Sequence, residues 1–181
     1  MEAGRIVDIG TFDQIRSLIV ERAATFLNKN VTDPDKFLNN VHHDLNLDEL
    51  NSLRLEVIRS INSESWLRPS YYSLARPALE ALVGNELAMQ MRINLSIQLP
   101  QDDGSLLPLH ADVWSGDSPY EVVVWLPLVD CHQTKSMFLL PPDVEQDIRK
   151  TFSDYSRQSS EELYQSIKDH LIWIEIKAGE V

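Results

Sequence analysis

Cysteine is almost missing: the chain of 181 residues has one, Cys131. A single thiol excludes an internal disulfide and suits a reducing compartment. Long apolar runs are also missing, and no stretch approaches the roughly 20 residues that span a bilayer. The opening MEAGRIVDIGTFDQ has no basic segment leading into an apolar one, so no secretory signal is expected. Basic residues are scarce. Lys and Arg number 16 against 28 Asp and Glu, for a formal net charge of −12 and a pI near 4.7. Nucleic-acid binding needs clustered cations and is excluded as a class; an anionic membrane surface is disfavoured for the same reason. There is no G-x-x-x-x-G-K-[ST] phosphate loop, no G-x-G-x-x-G turn and no G-x-S-x-G elbow. What remains is a chain of globular composition, 43% hydrophobic and 24% charged. Its size fits one domain, and the expected setting is the cytoplasm.

The pattern changes near residue 90, dividing the chain into a helical region, 1–90, and a strand-rich region, 91–181. In the first, Thr11 with Gln14 has the spacing of a capping box. It precedes an apolar stripe of Phe12, Ile15, Leu18, Ile19, Ala23, Phe26 and Leu27. Asp33-Pro34 reads as the cap and first turn of a short helix. Asn46 with Glu49 opens a third helix, whose stripe is Leu47, Leu50, Leu53, Val57, Ile58 and Ile61. Pro69 is expected to interrupt the chain, and Pro77 to start a short helix ending near Gly84. Arg68, Tyr71, Tyr72 and Arg76 cluster there, most simply as a surface connector.

In the second region, residues 92–99 alternate strictly. Ile93, Leu95, Ile97 and Leu99 face one way, while Arg92, Asn94, Ser96 and Gln98 face the other. Residues 122–126 form a β-branched run expected of a strand buried on both faces. Residues 137–140 and 171–176 read as further strands, with helical inserts from Asp143 to Phe152 and from Ser160 to Asp169. Gly179 is expected to begin a turn. The carboxylates Asp102-Asp103, beside Gly104, read as a solvated acidic turn.

The chemistry-bearing motif is His110-Ala111-Asp112. On extended backbone, residues two apart project to one side. An imidazole and a carboxylate so placed approach one metal ion together, as two ligands of the two-His, one-carboxylate facial triad do. Cys131 beside His132 has no such geometry, since neighbours on extended backbone point apart.

The stretch RINLSIQLPQDDGSLLPLHADVWSGDSPYEVVVWLPLVDCHQTKSMFLLP resembles the Fe(II)- and 2-oxoglutarate-dependent dioxygenases of the phytanoyl-CoA-dioxygenase-like superfamily. Within it the stretch looks closest to the oxygenases of bacterial carbohydrate-biosynthesis clusters. The likeness covers residues 91–181 and is most specific over 92–140. It implies an α+β fold: a double-stranded β-helix, the cupin-like jelly roll, with N-terminal helices. It also implies hydroxylation of a small carbohydrate-derived substrate, such as a sugar or nucleotide-sugar, with Fe(II) bound and 2-oxoglutarate consumed to succinate and CO2. On this likeness His110 and Asp112 are iron ligands, and Asn94, Gln98 and Trp125 contact 2-oxoglutarate. Trp114, Ser115 and Asp117 stand at the pocket mouth, toward substrate.

The family also uses a later histidine and a basic partner for 2-oxoglutarate beyond it, and this sequence stops at Val181 before either. The expectation is therefore a jelly roll short of its last strands, in a truncated chain or in one completed by a second copy. His132 and His170 are the nearest substitutes for the third ligand; His42 and His43 fall in the helical region. The alternative is a catalytically inactive fragment or a cupin-like binding module.

Overall fold

A computed structural model describes residues 8–100, 109–150 and 159–181. The acidic turn Asp102-Asp103-Gly104, Pro108 and the expected helix end at Phe152 lie outside the described residues. The chain gathers into two compact units. The first takes Met1–Leu99, Val124–Asp130 and Ile176–Val181; the second takes Pro100–Val123 and Cys131–Glu175.

The first unit is built on helices. Helix α1 spans Ile9–Phe26. Its cap is Asp8, whose carboxylate accepts the Thr11 N–H at 3.1 Å and the Thr11 hydroxyl at 2.5 Å. Thr11 is thus the third helical residue, not the cap, and the helix starts a turn earlier than the Thr11–Gln14 spacing suggests. Helix α2 is Pro34–Asn40, with Asp33 as cap and Pro34 in the first turn, where its missing N–H costs nothing. Helix α3, Leu47–Ile61, carries a complete capping box between Asn46 and Glu49. Arg16 pairs with Asp35, Lys29 with Asp44, and Arg22 with Glu64 at 3.1 Å.

Helix α4 runs unbroken over Leu67–Val83, through Pro69, expected to interrupt the chain, and Pro77, expected to start a shorter helix. Pro69 sits in the first turn, where backbone donors have no intrahelical acceptor anyway. Pro77 is interior and its side is exposed. The helix stops at Gly84, which adopts φ 83°.

Helix α1 packs on α3 and α4. Ile15, Leu53, Val57, Ile61 and Leu67 are almost wholly sealed, at 2% exposure or less. Three extended segments lie on this helical core. Residues 93–99 keep the period of two that the sequence shows. Ile93 is buried and Leu95, Ile97 and Leu99 are half-buried, while Asn94, Ser96 and Gln98 are exposed. Leu126, from the second segment, joins the same core, and Ala178 and Val181 pack against it from the third. The second and third are tied together: Gly179 N–H donates to Pro127 O and Ala178 N–H to Asp130 Oδ1. Gly179, at φ 83°, stands in the turn closed by Glu180 N–H donating to Lys177 O.

The second unit holds helices α5 (Pro142–Lys150) and α6 (Ser160–Ile167). Strands β1 (Phe138–Leu139) and β2 (Ile172–Trp173) pair antiparallel, Phe138 opposite Trp173 and Leu139 opposite Ile172. Both strands are shorter than the stretches 137–140 and 171–176 that the sequence marks as strand. Phe138 meets Trp173 edge-on at 5.1 Å and Tyr164 of α6 at 5.5 Å. Ser159 and Glu162 form the capping box of α6.

The run 122–126 is not buried on both faces. Val122 is 41% and Val123 65% exposed, and burial starts only at Leu126. β-Branched composition reported extended backbone there, not depth. Among the described residues the sheet has two strands, and no helix is long and apolar enough to cross a membrane.

Candidate metal centre

The motif lies in the second unit, where extended chain enters a tight turn. Ala111 is extended, φ −123° and ψ 136°, and caps a 3₁₀ turn over Asp112–Ser115. One extended residue between His110 and Asp112 projects their side chains to one side. The turn then fixes Asp112: Trp114 N–H donates to Ala111 O at 2.8 Å, and Asp117 N–H to Asp112 O at 3.3 Å. Gly116 closes the turn at φ 97°, the left-handed region that a side chain rarely adopts.

His110 Nε2 stands 3.4 Å from Asp112 Oδ1, and the two side chains are 47% and 49% exposed. That separation exceeds an ordinary N–H···O bond. It is also longer than the spacing of two donors on one cation. Donors about 2.0–2.2 Å from an ion lie about 3 Å apart at neighbouring octahedral positions, so a small rotation of either side chain is needed to bring the pair onto one ion. The donor set, one imidazole nitrogen and one carboxylate oxygen, suits a divalent first-row metal.

The other residues singled out by sequence divide between the units. Trp114, Ser115 and Asp117 share the turn with the pair; Trp114 is 52% exposed and Asp117 is exposed. Asn94 and Gln98, both exposed, and Trp125, half-buried, belong to the first unit. His132 precedes a 3₁₀ turn at Gln133–Lys135, and His170 ends another at Lys168–His170. His170 thus lies in a turn before β2 and not in the strand itself. Among the described residues no three His, Cys, Asp or Glu side chains come together as a metal-holding group, so neither histidine joins His110 and Asp112 there. His42 and His43 stack on each other at 3.9 Å in a 3₁₀ turn of the first unit.

Two residues of consequence escape the sequence pattern: Asn62 gives no signal, and Tyr71 reads as part of a surface connector. Asn62, just past α3, uses its carboxamide to donate to Ile93 O and to accept from Ile93 N–H, both at 2.8 Å. Tyr71 is an anchor, not a surface residue. Its hydroxyl donates to Val124 O at 2.8 Å, and burial pushes its pKa up to about 12, against a small opposing effect of a backbone hydrogen bond at Leu126.

No family model, curated protein or solved structure matches this chain.

Proposed function

We propose that the chain is a non-haem Fe(II), 2-oxoglutarate-dependent oxygenase acting on a small, carbohydrate-derived substrate, with a jelly roll as its fold and the cytoplasm as its setting. The observation that supports it is the pairing of His110 Nε2 and Asp112 Oδ1 at 3.4 Å on one accessible turn. The residues within 92–140 that resemble this oxygenase family supply the choice of metal and cosubstrate. His110 and Asp112 hold the ion; the neutral imidazole contributes a nitrogen lone pair and the carboxylate a negative charge. A bound Fe(II) supplies open coordination positions for 2-oxoglutarate and O2 and the oxidising chemistry itself. The protein's part is positional. The 3₁₀ turn sets the carboxylate, the extended Ala111 aligns the imidazole with it, and exposed Trp114 offers an apolar face beside them.

A second reading is a metal-binding module without turnover. It is favoured by the lack, among the described residues, of a third ligand at the pair. One experiment separates the two. Mn(II) or Fe(II) is titrated into the purified chain, and succinate release from 2-oxoglutarate is followed with ascorbate present. Oxygenase function predicts metal binding lost in both His110→Ala and Asp112→Ala, together with succinate release. Binding with the same residue dependence but no succinate selects the module. Binding indifferent to both substitutions overturns both readings.

A further inference from the structure

We propose that the extended segment at residues 94–98 is a pairing edge for a second copy of this chain, joined antiparallel about Ser96. The backbone makes the first part of the case. Among the described residues, the N–H and C=O groups of Asn94, Leu95, Ser96, Ile97 and Gln98 have no hydrogen-bond partner, and the segment joins no sheet. It is nonetheless held in place. The Asn62 carboxamide grips both polar groups of Ile93, and Ile93, Leu95 and Ile97 pack on the helical core. An extended strand fixed at one end, with an unpaired edge, is a template for another strand. The devices that usually protect such an edge are missing: from Ile93 to Leu99 there is no proline and no charge.

The side chains choose the occupant. A two-fold contact brings one patch against itself, so the patch must complement its own reverse. Ile-Asn-Leu-Ser-Ile-Gln-Leu does so by chemical class: apolar, amide, apolar, hydroxyl, apolar, amide, apolar in either direction. Antiparallel pairing centred on Ser96 sets Asn94 of each copy opposite Gln98 of the other, and Ser96 opposite Ser96. Each carboxamide is both donor and acceptor, so both pairs can be satisfied. Ile93 meets Leu99 and Leu95 meets Ile97, continuing each apolar face. A chain of net charge −12 resists meeting itself almost anywhere; this neutral segment offers contact with no like charges opposed. Two short strands make a small interface, so the dimer belongs to the weak, concentration-dependent class.

The exposed positions 94 and 98 allow a test that leaves the core alone. In the full-length double variant Asn94→Lys, Gln98→Lys the proposed register sets Lys opposite Lys twice. In Asn94→Lys, Gln98→Glu it sets Lys opposite Glu twice, and cross-strand charge pairs of those kinds repel and attract respectively. Sedimentation equilibrium over a wide concentration range should show a reversible dimer for the native chain. The Lys/Lys variant should have a dissociation constant raised by about tenfold or more, equivalent to about 1.4 kcal/mol. The Lys/Glu variant should dimerise at least as well as the native chain. Circular dichroism confirms that both remain folded. A native chain that is monomeric at its highest soluble concentration overturns the proposal. So does a dimer that the two variants weaken equally, because the contact then lies elsewhere or in another register.

Discussion

Asn62 does the work of a strand with one side chain. Its carboxamide meets both the N–H and the C=O of Ile93 at 2.8 Å, and its Nδ2 also donates to Ile58 O. Ile93 is 8% exposed, so water cannot readily replace those bonds. Truncation to alanine strands two backbone groups, each costing about 1–3 kcal/mol when unsatisfied. Asn62→Ala should therefore destabilise the chain by about 2–4 kcal/mol, read as a fall in the urea midpoint with the slope unchanged. An effect below about 0.5 kcal/mol would mean that Ile93 is held by packing alone. At the same scale, the local part of the metal pair was legible in the sequence. The H-x-D spacing needs only one extended residue between its members, and Ala111 is that residue. Asn62 was not legible because its partner lies 31 positions away, and no local rule connects an asparagine at a helix end to a later isoleucine.

Helices were legible where their signals are local. Asp33-Pro34 and Asn46–Glu49 cap helices as their spacing implies, since a cap is settled within one turn. Thr11–Gln14 misled because Asp8, three residues upstream, is the better acceptor and takes both the N–H and the hydroxyl of Thr11. The prolines of α4 misled for a different reason. Leu67, Leu74, Ala75 and Leu79 bury one face of that helix, and packing overrides the propensity of Pro77 to break it. Pro77 still removes the N–H that would reach Ser73 O, at a general cost of about 3 kcal/mol. It recovers up to about 1 kcal/mol by restricting the unfolded chain. Because its ring is exposed, Pro77→Ala leaves no cavity. The variant should be more stable by about 1–2 kcal/mol, seen as a higher thermal midpoint; a lower midpoint would show that the proline ring itself is needed at position 77. Strands were legible only as extended backbone. The alternation over 93–99 survives as alternating burial, yet pairing depends on a partner strand that periodicity does not specify.

For the molecule as a whole, the sequence division near residue 90 separates helical period from strand period. The compact units instead draw 93–99, 124–130 and 176–181 onto the helices, because Ile93 and Leu126 bury their side chains in the helical core. Tyr71 anchors one of those segments to α4 through Val124 O, which couples the stability of the first unit to pH. Burial raises the Tyr71 pKa from 10.0 to about 12. The folded state therefore keeps its proton where the unfolded chain begins to lose it. The associated stability is fully present below pH 10 and declines as pH rises from about 10 to about 12, by about 2–3 kcal/mol for a shift of two units. Acid leaves this contribution untouched. Tyr71→Phe removes the titrating group and the bond to Val124 O, so the variant should be less stable at neutral pH by about 1–2 kcal/mol. Its stability should then fall less steeply than the native chain's above pH 10, so that the gap closes and the two curves cross between about pH 10.5 and about pH 12. Urea titrations at intervals from pH 7 to pH 12 measure this directly. Parallel curves across that range would show that the Tyr71 hydroxyl is not buried on the helical core.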